Sequence, residues 1–413
     1  MKTVRHVIQP YLTMEMDPMT ERRELIFSDS KSNKFWNIEL NGSDYTVNYG
    51  RVGTKGQTNT KSFDSADDAK ADYDKIVAAK LKKGYADTAS EPTMSSATPL
   101  DFSTFARAGS QWSHVDSLAG APVTGISNDE APVTIEANIA YRLAASYEET
   151  WDPAWEKFFS KPQPATHLVI GAWAGEELYD TEAPVEELCA EASKLPDLRA
   201  LFLGDIIAEE NEISWIQQAD VSPLLAAFPK LELLRVRGGS GLAFTENRHA
   251  NLRGLAFETG GMDASVVQSV ANADLPNLEY LELWLGSEHY GATGTVEDLQ
   301  PLLNGEQFPK LRYLGLRNCH FVDDIANVIA NSPLVDRIKT LDLSMGTLSD
   351  AGGTALLKLP TDGALKTLNL NHNYLTHEVA TQLEALPFEV DTSERETPHD
   401  YDGKEYRYVS VGE

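Results

Sequence analysis

Residues 278–283 read LEYLEL and residues 311–316 read LRYLGL, and these two stretches decide the fold. The same LxxLxL spacing, with an aliphatic or aromatic residue at each defining position, occurs seven times between residues 198 and 370, at intervals of 21 to 33 residues. The copies begin at Leu198, Leu231, Leu252, Leu278, Leu311, Ile338 and Leu365. A polar loop and a short apolar run follow most copies, which predicts one strand and one helix per copy.

A strand and a helix recurring at this interval resemble leucine-rich repeats. The copies around Leu341 and Leu368 are similar to the helix-backed, ribonuclease-inhibitor-type subclass. Residues 168–170 supply an earlier, degenerate copy, which makes about eight strands. We therefore expect residues 161–386 to form an α/β leucine-rich-repeat solenoid with a parallel sheet and outer helices.

The segments on either side of the repeats lack the pattern, so we expect them to cap the ends of the solenoid. Residues 101–160 are the expected N-terminal cap, with helices at Tyr141–Glu149 and Pro153–Phe159. Residues 387–413 are the expected C-terminal cap, closed by a strand at Tyr406–Val411.

The alternation of strand side chains predicts which repeat residues can bind a partner. The leucines of each copy point into the core, and the residues between them face the concave side of the sheet. Aromatic and arginine side chains concentrate there, and we expect the aromatics to leave apolar area exposed, as in a protein-binding hot spot. The candidate protein-binding residues are Arg235, Arg237, Tyr280, Glu282, Trp284, Tyr313, Arg317, Asn369 and His372. The alternative is that these rows stabilise one another across strands and bind nothing.

Charge divides the 413-residue chain, whose net charge is −28. Residues 1–90 carry 14 basic and 13 acidic side chains, whereas residues 91–413 carry 21 and 50. The acidic part repels nucleic acid and anionic membranes at long range, so any nucleic-acid contact is expected from the first part and a protein partner from the second. Two cysteines, no apolar run of membrane-spanning length and no signal-peptide pattern favour a cytoplasmic protein.

The first 90 residues predict a small antiparallel sheet with one helix. Residues 24–27 and 34–40 have strand character, Asn41-Gly42 is a hairpin turn signal, and residues 45–49 form the returning strand. Asp64 and Ser65 can cap a following amphipathic helix.

The runs Lys34-Phe35-Trp36, Tyr49-Gly50-Arg51-Val52-Gly53-Thr54-Lys55-Gly56-Gln57 and Lys61-Ser62-Phe63 resemble a WGR domain over residues 20–88. In poly(ADP-ribose) polymerases this domain binds DNA ends or nicks and relays binding to a catalytic domain. The resemblance places Tyr49 where the family has a tryptophan that stacks on a terminal sugar, and Arg51 where it has an arginine of the interdomain contacts. No ADP-ribosyltransferase pattern follows, so that activity is not expected. The whole sequence is similar to bacterial WGR plus leucine-rich-repeat proteins of unassigned function.

The candidate nucleic-acid-binding residues are Tyr49, Gly50, Arg51, Lys55 and Lys61. An aromatic ring beside a glycine-rich, lysine-bearing loop can stack while the lysines meet phosphates. The alternative is that the glycines are turn residues, the tyrosine is core, and the lysines form a solvated face.

No motif for catalysis or for a resident metal emerges from the sequence, so we expect a non-enzymatic protein without a cofactor. Asp205, Glu209, Glu210 and Glu212 crowd one loop, where a divalent cation is an alternative to a solvated acidic surface. Residues 1–19 are an expected tail, and the small, polar residues 89–100 an expected linker.

The resulting hypothesis is a cytoplasmic adaptor or sensor. Its WGR domain binds DNA ends or nicks, and its concave repeat face binds a protein. The alternatives are a protein-interaction scaffold, or an enzyme inhibitor or regulator, with no nucleic-acid binding.

Overall fold

The computed structural model describes residues 21–28, 33–51, 54–83, 86–87, 100, 111–126, 135–136, 138–145, 152–175 and 178–413. The chain divides into two compact units, Met1–Ala97 and Thr98–Glu413, called here the first and second units. The expected tail at 1–19 and all but residue 100 of the expected linker at 89–100 lie outside the described residues.

The first unit is a five-stranded antiparallel sheet of order β4-β3-β2-β1-β5 with one helix. Its elements are β1 (Glu21–Ser28), β2 (Asn33–Asn41), β3 (Asp44–Arg51), β4 (Gln57–Ser62), α1 (Ala66–Lys82) and β5 (Ala86–Asp87). The expected hairpin between β2 and β3 and the expected helix are confirmed, and Ser65 caps α1 by accepting a hydrogen bond from the Asp68 amide at 3.1 Å. Trp36, Ile38 and Tyr73 belong to the apolar core of this unit.

The second unit contains a twelve-stranded sheet whose strand order, from β17 back to β6, is the reverse of chain order. The strands are β6 (Ser117–Leu118), β7 (Ala121–Gly125), β8 (Ala140–Leu143), β9 (His167–Ile170), β10 (Ala200–Leu203), β11 (Leu233–Arg237), β12 (Gly254–Glu258), β13 (Tyr280–Gly286), β14 (Tyr313–Cys319), β15 (Thr340–Asp342), β16 (Thr367–Asn369) and β17 (Glu389–Asp391). Neighbouring strands from β7 to β17 pair in parallel, and β6 pairs antiparallel with β7. A separate hairpin follows, formed by β18 (His399–Tyr401) and β19 (Lys404–Tyr406).

Short helices lie between the strands, as the sequence predicts. They are α2 (Asp152–Phe158), α3 (Val185–Ala190), α4 (Pro223–Ala227), α5 (Ala264–Ala271), α6 (Gln300–Leu303), α7 (Val322–Ile329), α8 (Asp350–Leu356) and α9 (His377–Glu384). Four 3-10 turns accompany them at Ala192–Lys194, Glu288–Tyr290, Val296–Leu299 and Pro333–Asp336. None of the described helices is both long enough and apolar enough to span a membrane.

The strand leucines form the main core on one face of this sheet. Leu281 pairs in register with Leu314, and Leu341 with Leu368, and all four are fully buried in one apolar cluster with residues of the helices. The residues between them lie on the opposite face, as the alternation of strand side chains predicts. This regular strand-loop-helix order fits a repeat protein.

Two expectations about the flanks of the sheet are wrong. Tyr141 begins no helix, because residues 140–143 are strand β8, in which Tyr141 and Leu143 are buried in the main core and Arg142 points to the other face. β7 and β8 therefore extend the parallel sheet into the segment expected to be a cap, and β17 extends it at the other end. Residues 407–411 form no strand, since β19 ends at Tyr406.

Candidate functional site

Tyr49 lies near the end of β3, opposite Trp36 of β2 and Gln57 of β4. It shares a face of the sheet with Val47, which is buried, but the Tyr49 side chain is 42% exposed, so its interpretation as a core residue is wrong. Its hydroxyl donates to Gln57 Oε1 at 3.3 Å. An aromatic ring held in this way at the border of a sheet can stack on a base or a sugar.

Positive charge gathers at the same end of the sheet. Arg51 pairs in register with Lys34, and both side chains are exposed. The Lys80 ammonium lies 5.0 Å from the centroid of the Trp36 ring. Burial, followed by the charges of Lys83 and Lys34, lowers the pKa of Lys80, which shows that these three cations lie within electrostatic range of one another.

The glycines beside Tyr49 are required by packing. Gly56 has a φ of +70°, and a Cβ there would lie 2.5 Å from Phe35 Cζ and 2.8 Å from the Tyr49 carbonyl oxygen. A Cβ on Gly50 would lie 2.8 Å from the Gly56 Cα. The turn interpretation therefore accounts for Gly56, whereas Gly50 lies within β3 and is required by its close packing against Gly56. Lys55, beside Gly56, is exposed.

Among the described residues, Arg51 and Lys55 form no ion pair, so their charges face solvent. We call this region the cationic end, and it consists of Lys34, Tyr49, Arg51, Lys55, Lys80 and Lys83. Sequence reasoning missed Lys34, Lys80 and Lys83 as site residues. In the sequence, Lys34 lies in the same strand as Trp36, and Lys80 and Lys83 lie at the end of helix α1. Only the fold brings this strand and the end of this helix together.

Lys61 lies apart from the cationic end. In β4 it pairs with Tyr45, four register positions from Tyr49, which is about 13 Å along a strand. Its ammonium forms an ion pair with Asp72 at 2.7 Å and lies 4.6 Å from the centroid of the Phe63 ring. Asp68 and Asp72 of helix α1 line the cleft beside Lys61. Lys61 therefore belongs to a different surface, on which its charge is largely neutralised.

On the face of the second unit's sheet opposite the leucine core, which is the face expected to be concave, Tyr280 and Tyr313 stack with ring centroids 4.1 Å apart and ring planes 6° from parallel. The Tyr280 hydroxyl, the Trp284 ring N–H at 2.6 Å and Arg317 Nη1 at 2.8 Å all donate to Glu282. Burial, followed by the charge of Glu282, raises the pKa of Tyr280 well above its ordinary value, so the phenol stays a neutral donor. Both carboxylate oxygens of Glu282 therefore accept hydrogen bonds from residues of this network.

Arg235 and Arg237 form a second closed network with Glu258. Arg235 Nε donates to Glu258 Oε1 at 2.5 Å and Arg237 Nε to Oε2 at 2.8 Å, with all three side chains at most 1% exposed. Burial opposes ionisation of Glu258, but the two guanidinium groups outweigh it and hold its pKa below the ordinary value. The Arg235 guanidinium also lies 4.3 Å from the centroid of the Phe202 ring.

The last two predicted residues lie toward the end of the sheet. Asn369 Nδ2 donates to Asp342 Oδ2 at 2.9 Å. His372 has a φ of +49° and is 41% exposed, with its Nδ1 3.7 Å from Glu396. His372 is therefore the most solvent-accessible member of the predicted set.

The expectation that the concave aromatics are exposed is wrong, since Tyr280 and Trp284 are 4% and 6% exposed. Part of the reason is that chain segments from outside the repeats cover this face. Val115, Leu118 and neighbouring residues pack with Tyr280 and the inner strand residues in one apolar cluster. The sequence does not reveal this cover, because the covering residues carry no repeat pattern.

A cluster of charged side chains attaches the covering segment, which includes Val115 and Leu118, to the loop after β10. Arg142 Nε donates to Asp205 Oδ2 at 2.9 Å, and the Val115 amide donates to Asp205 Oδ1 at 3.2 Å. His114 lies 3.5 Å from Asp205 and 3.4 Å from Glu210, and hydrogen bonds to these two carboxylates raise its pKa to about 9.

The acidic loop considered for a cation is thus partly neutralised by protein side chains. Across the described residues, no group of three or more His, Cys, Asp or Glu side chains has the arrangement of a metal site.

The fold of the first unit agrees with a family comparison. Residues 20–92 match the model of the WGR domain, and the first unit is therefore a WGR domain. The resemblance seen in the sequence is confirmed for this part of the chain.

The chain is similar to three particular proteins. It is 45% identical over 64 residues to the uncharacterized protein YfeS and 44% identical over 73 residues to protein YehF, both of Escherichia coli strain K12. These matches cover 16% and 17% of this chain and 26% of each relative. A crystal structure of a Bacteroides fragilis protein matches with 30% identity and a TM-score of 0.58, over 95% of this chain and 99% of that one. The chain belongs to the same family as this Bacteroides protein.

Proposed function

We propose that the protein is a non-enzymatic DNA-end or nick sensor whose WGR domain binds through the cationic end. The exposed Tyr49 ring carries this proposal, because it stands beside Arg51 and Lys55, which form no ion pair among the described residues. In this arrangement Tyr49 stacks on a terminal sugar or base, while Arg51 and Lys55 contact phosphates. WGR domains of poly(ADP-ribose) polymerases bind DNA, which supports the assignment.

Lys61 is left out of the proposed contact surface, because it is paired with Asp72. Lys34, Lys80 and Lys83 take its place, since they lie at the same end as Arg51. Duplex DNA carries a negative charge about every 1.7 Å along its axis, so a cluster of this size can meet several phosphates at once.

We interpret the second unit as a leucine-rich-repeat solenoid that binds a protein, which makes the chain an adaptor. Its parallel sheet with intervening helices supports the interpretation. The concave face is closed by internal networks, so a partner must bind elsewhere on this unit or displace a segment that covers the face.

Fluorescence anisotropy of the full chain against nicked and blunt DNA tests the first half of the proposal. Tyr49→Ala/Lys55→Ala should weaken binding at least about tenfold, since stacking contributes about 1–3 kcal/mol per base. The matched control is Tyr401→Ala/Lys404→Ala, which removes the same residue types from the exposed β18–β19 hairpin. Equal affinity of the two variants and the parent would exclude the cationic end as the DNA site.

The second candidate function is a protein-interaction scaffold without DNA binding. The excess of acidic residues in the second unit favours this candidate, because a negatively charged protein surface repels nucleic acid. Salt dependence separates the two candidates. Phosphate contacts make affinity fall steeply as salt rises, whereas apolar docking of a protein changes little.

A further inference from the structure

Residues 408–413, called here the crossing segment, run over the carboxyl ends of the parallel strands. Tyr408 bonds to Tyr374 in the loop after β16, the Ser410 amide donates to the Met345 carbonyl after β15 at 3.0 Å, and Val411 bonds to Asn318 of β14. A chain of six residues can span at most about 20 Å, which equals about four strand spacings. The segment therefore crosses the strands and contacts one after another.

Side chains of the second unit hold the crossing segment mainly by its backbone. The Asn318 amide binds both polar groups of Val411, accepting from its N–H at 2.9 Å and donating to its C=O at 2.5 Å. The Tyr374 hydroxyl does the same for Tyr408, at 2.9 Å and 3.0 Å. The Ser214 hydroxyl donates to the Gly412 carbonyl. Such contacts recognise an extended chain without reading most of its side chains.

Two positions of the segment are read by shape. The Val411 side chain is 5% exposed in an apolar pocket formed with Ile213 and Trp284, against which Met345 packs. At Gly412 a Cβ would collide with the Tyr290 ring, so a larger residue fits only if that ring moves. The Tyr290 hydroxyl then donates to Glu413 Oε1 at 3.3 Å.

The crossing segment belongs to no strand or helix, so its contacts can open without breaking the sheet. A short tether gives it an effective concentration in the millimolar range, which favours the closed state until a stronger competitor is present.

We propose that the groove formed by Ser214, Trp284, Tyr290, Asn318, Met345 and Tyr374 binds an extended peptide of a partner protein, with a β-branched aliphatic residue followed by glycine and an acidic residue. The crossing segment is the internal competitor for this groove. This inference rests on the proposed role of the second unit as the protein-binding part, and it names the kind of partner.

The test uses the full chain with Gly412→Val, which expels the segment and leaves every groove residue unchanged. The probe is a fluorescein-labelled peptide with the sequence of residues 404–413, KEYRYVSVGE. We expect the variant to bind it at least about tenfold more tightly than the parent, because the tethered competitor is gone. Asn318→Ala in the same background should reverse the gain, and a probe with Asp at the Val411 position should not bind.

A second variant, Val411→Asp, places a charge in the Trp284 pocket and releases the segment by a different route. Faster tryptic cleavage after Arg407 reports release in each variant, and circular dichroism reports folding. Failure of both released, folded variants to take up the probe overturns the inference, as does equal binding of the Asp-containing probe.

DNA anisotropy of the same variants keeps the two proposals apart. Unchanged DNA binding together with absent peptide uptake overturns the groove alone. Capture of a protein by the parent chain that is unaffected by Asn318→Ala would place the partner on another surface of the second unit.

Discussion

Tyr49 in the first unit and Tyr280 in the second are both strand tyrosines near cationic side chains, and their surroundings differ in one decisive way. Tyr280 stacks on Tyr313 and donates to Glu282, so its ring and its hydroxyl both have partners within the protein. Tyr49 has one long hydrogen bond and an open ring face. The comparison teaches that aromatic and cationic composition does not locate a binding surface. A binding surface is found where aromatic and cationic groups lack partners within the protein.

The largest effect should come from breaking the closed network at Glu258. Glu258→Ala leaves two buried guanidinium groups without their carboxylate, which should lower the free energy of unfolding by about 3–5 kcal/mol. Urea denaturation measures the loss. Asp197→Ala is the matched control, since it breaks an exposed 2.6 Å pair with Lys230 and should cost less than about 1 kcal/mol. Equal costs would mean that the concave charges are not a closed network.

The next largest effect concerns the backbone of the loop beside Tyr49, which supports the cationic end. Gly56→Ala adds a collision with Phe35 to a left-handed conformation and should destabilise the first unit by about 2 kcal/mol or more. Gly42 has a similar φ of +59° but nothing within 4 Å, so Gly42→Ala should cost only about 1 kcal/mol. Thermal unfolding followed by circular dichroism compares the two variants. If the two melting temperatures coincide, the packing of Phe35 on this loop is not what makes the glycine necessary.

A smaller effect is expected from His114, which ties the covering segment to the loop after β10. Its folded pKa of about 9 lies above the ordinary imidazole value, so its contribution is complete below about pH 6.5 and is lost as the pH rises through 9. Because the ring is about one-third exposed, solvent screening should limit the contribution to about 1 kcal/mol.

Unfolding free energies of the parent and of His114→Gln, measured at about pH 6 and about pH 9.5, give this contribution as a difference of differences. A gap between the two proteins that stays constant with pH would show that the cover does not depend on the imidazolium.

The smallest effect separates two lysines of the WGR domain. Lys55→Gln should reduce the slope of log affinity against log salt for duplex DNA by about 0.9, because one phosphate contact is lost. Lys61→Gln should leave the slope unchanged, since Asp72 already neutralises that ammonium. Anisotropy titrations at several salt concentrations measure both slopes. An equal reduction for both lysines would extend the DNA site across β4 and contradict the separation described above.

The regular parts of the fold follow from the sequence because they repeat. The spacing of Leu281 and Leu283 recurs in each copy, and a pattern that recurs every 21 to 33 residues predicts strands that stack in register. β7 carries no such leucine and β8 carries only Leu143, yet both strands join the sheet, because tertiary pairing overrides weak local preference. Tyr141 was therefore assigned to a helix although it lies in a strand.

The candidate sites were less predictable than the fold. Tyr49 was identified from its neighbours in the sequence, but Lys34 and Lys80 join it only after the helix packs on the sheet. On the second unit, alternation correctly put Arg235 on the sheet face opposite the leucine core. It could not show that Glu258 would satisfy that arginine, or that residues far along the chain would cover its neighbours.

The crossing segment also determines how the second unit shares its stability. A stack of parallel strands in which each touches only its neighbours can lose structure one strand at a time from an end. Gly412 is bonded to Ser214, 198 positions earlier, and Val411 to Asn318, 93 positions earlier. Opening one end of this stack therefore disturbs contacts made near the other. We infer that the strands from β10 to β16 behave as one cooperative block, with amide exchange governed by a common opening event rather than by distance from the nearest end.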